Sequence, residues 1–177
     1  MATQPVIEIP VRVEEYLATV YEHDCEYVDG IVEERAVGEF DHACLQALLI
    51  GLFLQHRDDW GVFPLPEQRT QTRATRFRVP DVVVLRKGAP REKILKTPPL
   101  LAIEILSPED SLRRTNVKAM EYLEFGIEHV WIIDPASRTG YRATPEGLDE
   151  LENGVFTVPG TPIQVDLTKL FAELDEA

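Results

Sequence analysis

Two apolar runs separated by a helix-length segment constrain this chain more than any other feature. Residues 100–106 read LLAIEIL and residues 130–133 read VWII; both are short, rich in branched or aromatic side chains, and nearly continuous in apolar character. Such runs are strands covered on both faces. The segment between them opens on Ser107-Pro108-Glu109-Asp110, a serine cap, a first-turn proline and acids at the positive end of the dipole, and closes on Gly126. Strand, helix and strand in one stretch imply two parallel strands joined by a right-handed crossover. The fold class that follows is α/β.

The flanking sequence adds antiparallel pieces, which make the sheet mixed. In VRVEEYLATVYEH, Val13, Tyr16, Leu17 and Val20 fall at helical spacing and predict a short amphipathic helix. CEYVDGIVEERAV sets Asp29-Gly30 between two β-prone runs, a strong hairpin signal. FDHACLQALLIGLFLQHRDD predicts a largely buried helix with Asp41 available as its cap. RFRVPDVVVLRK reads as one strand, with Phe77, Val79, Asp81, Val83 and Leu85 on one face by period two. Residues 87–99 form a connection, residues 141–158 one or two edge strands, and LTKLFAEL a short amphipathic helix. The expected architecture is a mixed β-sheet flanked by helices, with an N-terminal β-hairpin. At 177 residues and 44% hydrophobic, the chain suits a single domain.

Membrane and secreted classes are disfavoured. No apolar stretch approaches the ~18 residues of a membrane span, and MATQPVIEIPVRVEEYL has neither a basic start nor an apolar signal core, which points to the cytoplasm. Cys25 and Cys44 make no dense disulfide framework and read as reduced thiols. The net charge of −13 argues against a polyanionic partner, but its distribution does not. Between Arg69 and Lys118 there are 12 basic residues against 5 acids, so an acidic protein carries a basic middle. That segment either presents one positive face to a nucleic acid or scatters over several solvated faces.

Asp81 and Glu104 interrupt apolar alternations on two strands joined by one connection, so they are expected as neighbours. A buried carboxylate requires compensation by a cation, by backbone amides or by a divalent metal, and hard ions such as Mg²⁺ favour oxygen donors. Lys118, on the helix leaving the Glu104 strand, can reach the same place and orient or deprotonate a water there. Two acids, a metal and a lysine suit hydrolysis of a phosphodiester. The bland reading is equally concrete: each acid forms a salt bridge to a nearby arginine, and Lys118 pairs with Glu121.

Five blocks in order, CEYVDGIVEE, DH at the head of a leucine-rich helix, VPDVVVL, LLAIEILSP and NVKAMEYLEFGIEHVWIIDP, resemble the Uma-type restriction-endonuclease family, a branch of the PD-(D/E)XK nuclease superfamily. The resemblance implies a restriction-endonuclease-like core and Mg²⁺-dependent cleavage of DNA, with Mn²⁺ as a substitute ion. Pro80-Asp81 and Glu104 match the two acids that hold the metal. The superfamily's lysine is expected two residues after the second acid, where this chain has Leu106; Lys118 matches the family's lysine in the following helix. Glu26 and His42 match further family positions and are possible additional site residues, Glu26 reading equally as a hairpin residue and His42 as a capping or core group. Tyr122 reads as a packing residue.

Arg73, Arg76, Arg78, Arg113 and Arg114 are the candidates to guide the nucleic-acid backbone. A homodimer suits cleavage of both strands. His23-x-Cys25 and His42-x-Cys44 repeat a spacing, but structural zinc draws on paired Cys-x₂₋₄-Cys units. No glycine-rich phosphate loop suggests an organic cofactor. The rival reading is a non-catalytic domain that keeps the nuclease core for nucleic-acid binding or protein assembly.

Overall fold

The computed structural model describes residues 10–22, 24–35 and 39–177. Helix α1 is Val13–Ala18, shorter than the spacing suggests. It ends at Thr19, whose backbone is extended, and of the four residues expected on its apolar face only Tyr16 lies fully in the interior; Leu17 and Val20 are exposed. Strands β1, Cys25–Val28, and β2, Ile31–Glu34, form the hairpin around Asp29 and Gly30. Both turn residues have positive φ, 48° and 100°, the type I′ pattern that matches strand twist.

Helix α2, Phe40–Gln55, buries Leu45, Leu49 and Phe53 one turn apart, and α3, Arg57–Trp60, follows it. The N-cap of α2 is Glu39, with no side-chain cap bond, so Asp41 is a first-turn acid facing the helix dipole and not the cap. Strand β3, Val62–Pro66, leads to β4, Thr70–Arg73, and β5, Arg76–Arg78.

The stretch read as one strand is two. After β5 the chain leaves the hairpin's sheet at Val79-Pro80-Asp81 and enters the larger sheet as β6, Val82–Arg86. Pro80 has no N–H to donate to a ladder, and the Val79 amide is taken by a side chain, the Glu26 carboxylate at 3.0 Å. Period-two alternation runs through the break because each strand keeps its own inward face.

Strand β7, Leu101–Ile105, pairs antiparallel with β6 and parallel with β8, His129–Asp134, across helix α4, Leu112–Phe125. The parallel pair is as expected; the helix start is not. Ser107 and Asp110 close a local turn in which the Asp110 carboxylate accepts from the Ser107 amide and hydroxyl, at 2.9 and 2.8 Å. Ser111, four residues on, is the N-cap and accepts from the Arg114 amide. Strands β9, Thr139–Thr144, β10, Gly147–Glu150, β11, Val155–Thr157, and β12, Gln164–Asp166, precede helix α5, Leu167–Asp175.

The strands form a six-stranded mixed sheet in the order β10-β9-β8-β7-β6-β3, a four-stranded sheet β2-β1-β5-β4, and the pair β11-β12. One face of the large sheet packs Val82, Val84, Leu101, Ile103, Trp131 and Ile133 against α2 and α5. The Trp131 and Phe156 rings stack at 4.5 Å, and a side chain at Gly140 would collide with Phe156 and Leu167. The other face packs Ala102, Val130 and Ile132 against Ala119 and Tyr122 of α4. Burying apolar area on both faces is the dominant favourable contribution, about 25 cal/mol per Å² removed from water. Among the described residues no helix is long and apolar enough to cross a membrane.

Candidate active site

The register of the large sheet brings the two acids together. Val82 lies opposite Ile103, with both side chains in the α2 and α5 layer, so one step further along the antiparallel pair sets Asp81 beside Glu104 on the α4 face. Ile105, next to Glu104, donates its amide to Asp81 Oδ2 at 2.7 Å. The second sheet contributes Glu26 from β1, and α4 contributes Lys118. Lys118 Nζ is 3.2 Å from Glu104 Oε2 and 3.0 Å from Glu26 Oε1, bridging the two sheets. These residues line a cleft of about 710 Å³ together with His42, Arg35, Ser107 and Arg114.

Each of the three buried acids of the cleft, Glu26, Asp81 and Glu104, has a counter-ion or a donor. Asp81 Oδ1 takes Arg35 Nη2 at 2.5 Å, and Oδ2 takes His42 Nε2 at 3.2 Å besides the Ile105 amide. Burial works to raise the Asp81 carboxyl, but the hydrogen bond and charge of His42, with Arg35 and the amide, outweigh it and hold it below the usual range. His42 is raised in turn: burial opposes its charge, and Asp81 prevails. Glu104 accepts from the Tyr122 hydroxyl at 2.6 Å as well as from Lys118. Here burial wins, and with Asp81 and Glu26 adding repulsion against the attraction of Lys118, Glu104 is pushed up to about 7. Lys118 moves up as well, because Glu104, Glu26 and Asp81 outweigh its desolvation, so it is an ammonium at neutral pH. It can orient a water or stabilise negative charge; deprotonating a water is not open to it in this state.

A second layer holds Glu26 in place. Arg78 Nη1 meets Glu26 Oε2 at 2.9 Å, while Arg78 Nη2 meets Glu121 Oε2 at 2.9 Å. Glu121 also accepts from Thr72 and from Arg76, so a buried network ties β4, β5 and α4 to the hairpin. Glu26 lies directly opposite Glu33 in the hairpin register, a like-charge pair that Arg78 neutralises.

The structure thus gathers Asp81, Glu104, Lys118, Glu26 and His42 in one cleft. It gives the five arginines different settings. Arg78 is buried in the network, Arg76 is paired with Asp29 and Glu121, and Arg73 is paired with Glu124. Arg113 and Arg114 stand on an exposed first turn of α4; Arg76, Arg78 and Arg114 line the cleft, the first two of them already ion-paired. Lys118 pairs with Glu104 and Glu26, not with Glu121. Tyr122, read as a packing residue, is a hydrogen-bond donor to Glu104; its position one turn after Lys118 was the available signal. Arg35 carried no signal at all, since it follows the hairpin without a pattern. His23 of the His-x-Cys repeat lies outside the described residues.

The donor chemistry fits a hard divalent cation. Asp81 and Glu104 offer oxygens from adjacent strands, and Mg²⁺ is commonly held by one or two carboxylates with waters and substrate oxygens completing its shell. Among the described residues no group of three or more His, Cys, Asp or Glu side chains is placed to hold a metal ion, so the protein's share of such a shell would be the two carboxylates. The family model Uma2, described as "Putative restriction endonuclease", matches residues 13–169. The crystal structure of a "putative nuclease belonging to DUF820" from Anabaena variabilis is similar to this chain, with a TM-score of 0.81 and 23% identity, covering 93% of this chain and 99% of that one. That likeness shows the shared fold. No curated protein matches the chain.

Proposed function

The chain belongs to the Uma2 family, and we propose that this protein is a divalent-metal-dependent endonuclease hydrolysing phosphodiester bonds of DNA. The observation that carries the reading is the convergence of three buried carboxylates, Glu26, Asp81 and Glu104, with Lys118 in one cleft. Asp81 and Glu104 would hold Mg²⁺ or Mn²⁺, which when bound polarises the phosphoryl oxygen and lowers the pKa of a bound water. Lys118, fixed between Glu104 and Glu26, holds a positive charge where a phosphate would enter and orients the attacking water. Tyr122 and the Ile105 amide keep the two carboxylates in fixed rotamers. Glu26 positions Lys118, and Arg78 positions Glu26. Arg113 and Arg114 at the exposed start of α4 supply backbone contacts to the duplex.

One observation favours the rival reading of a non-catalytic nuclease-fold domain. All four oxygens of Asp81 and Glu104 already have donors within 3.2 Å. The experiment that separates the readings is thermal melting of wild type and Glu104→Gln across Mg²⁺ and Mn²⁺ titrations, with nicking of supercoiled plasmid measured alongside. The nuclease reading expects a metal-dependent rise in melting temperature that Glu104→Gln removes, and nicking that EDTA stops. No metal effect on stability and no nicking would favour the non-catalytic domain.

A further inference from the structure

We propose that Arg35 is an exchangeable counter-ion standing where the divalent cation binds, so that metal entry proceeds by displacing its guanidinium from Asp81; the inference rests on the nuclease reading above. The two oxygens of Asp81 have different fixtures. Oδ2 is tied to the backbone amide of Ile105 and to His42, so it is committed to holding the strand junction. Oδ1 meets Arg35 Nη2 at 2.5 Å and no backbone group in the described residues. It is the oxygen of Asp81 left for a metal, and a side-chain cation occupies it.

Arg35 is also built to let go. Its other terminal nitrogen, Nη1, is 3.2 Å from Glu67 Oε1, a carboxylate that is 45% exposed and lies on the connection after β3. A guanidinium shared between a buried and an exposed carboxylate can keep the exposed partner after leaving the buried one. Its remaining donors are then free to grip a phosphate, for which the planar fork is suited. Lys118 differs in this respect. Both of its partners, Glu104 and Glu26, are buried, so leaving one returns it to the other and it stays in the site.

Competition has a sign that a structural salt bridge lacks. Removing a cation that sits on the ligand oxygen must tighten metal binding, whereas removing a merely structural bridge loosens the site. A charge at contact distance commonly alters the ionic equilibrium of a neighbouring group by about tenfold to a thousandfold. Calorimetric titration of Mg²⁺ and Mn²⁺ into Arg35→Gln should therefore give an affinity at least about tenfold above wild type. Arg114→Ala, which removes an arginine from the exposed rim of the same cleft, should change it far less.

The wild-type protein provides a second readout that needs no variant. In ¹⁵N spectra of arginine side chains, the Arg35 Nε–Hε signal should shift along the Mg²⁺ titration, saturating with the calorimetric isotherm. A spectrum in which Mg²⁺ binds but Arg35 does not respond overturns the inference, even if Arg35→Gln fails to fold. Equal affinity in wild type and a folded Arg35→Gln overturns it as well, and leaves the metal-dependent reading standing. Absence of Mg²⁺ and Mn²⁺ binding in both proteins brings down both.

Discussion

Glu104→Gln should make the protein more stable at neutral pH while abolishing any metal response. Burial, with the neighbouring Asp81 and Glu26, pushes Glu104 from an ordinary 4.5 up to about 7 despite the attraction of Lys118. The folded state thus holds a proton that the unfolded chain releases. A raised carboxyl carries no penalty below pH 4.5, where both states are protonated, and the full penalty above about 7, where both are ionised. The difference corresponds to about 3 kcal/mol, taking 1.36 kcal/mol for each pH unit between the two values. Urea denaturation of wild type and variant at pH 4.5, 6, 7 and 8 measures it directly. The two proteins should be close in stability at pH 4.5, and the variant should gain on wild type through pH 6 and 7. His42 contributes a slope of the same sign in both proteins, because its raised folded value gives stability that is lost as pH rises; Asp81, which is kept, dominates that shift, so only the smaller share owed to Glu104 differs in the comparison. A variant less stable than wild type at pH 8 would instead mean that the ionised Glu104 is a net stabilising partner of Lys118, the opposite of the expected outcome.

The metal proposed at Glu104 would compete with this proton, so the stabilisation by a fixed Mg²⁺ concentration should grow from pH 6 to pH 8; melting curves in the two buffers check it. Arg78→Met removes the shared partner of Glu26 and Glu121 but leaves Lys118 on one and Arg76 and Thr72 on the other, so the loss should sit near the low end for a broken buried pair, about 3 kcal/mol. In a chain of this size that is a fall of roughly 6–12 °C in melting temperature by calorimetry, and a fall below about 1 °C would show that the network is already neutral without Arg78. Arg113→Ala with Arg114→Ala should weaken duplex binding and reduce the slope of log affinity against log salt by about 2, measured by fluorescence anisotropy.

Periodicity carried the parts of the fold that depend on neighbours in sequence. The hairpin around Asp29-Gly30, the β7-α4-β8 crossover and the pairing of the Asp81 and Glu104 strands all follow from runs of a few residues whose burial admits one arrangement. The break at Pro80 did not, because period two continues across it; the missing proline N–H was the sole local clue. The start of α4 turned on two serines four residues apart, each followed three positions on by a usable partner, and Asp110 bonding back to Ser107 decided it by local contacts of about a kcal/mol. The ion pairs were beyond reach. Arg35 and Asp81 are 46 positions apart, Arg78 and Glu26 are 52, and neither pair leaves a spacing rule in the sequence. Three of the five arginines expected at a nucleic-acid backbone, Arg73, Arg76 and Arg78, pair with buried or nearby acids, since an unpaired buried carboxylate is costlier than an unpaired surface arginine.

The pairing of Asp81 and Glu104 does not by itself choose between a nuclease and a domain that has lost catalysis. Buried carboxylates need compensating charge in either case, and a protein that folds before its metal arrives must supply that charge from its own side chains. What distinguishes the two is whether the counter-ions can be exchanged. Lys118 is held between two buried acids that lie on different sheets, an arrangement that keeps a cation in the cleft whatever else enters. Arg35 is held by one buried and one exposed acid, which gives it somewhere to go. A cleft that had only to be neutral would be served by fixed cations throughout; a releasable Arg35 beside the fixed Lys118 and His42 is the arrangement that would let a metal take Asp81 Oδ1 while Oδ2 keeps its donors.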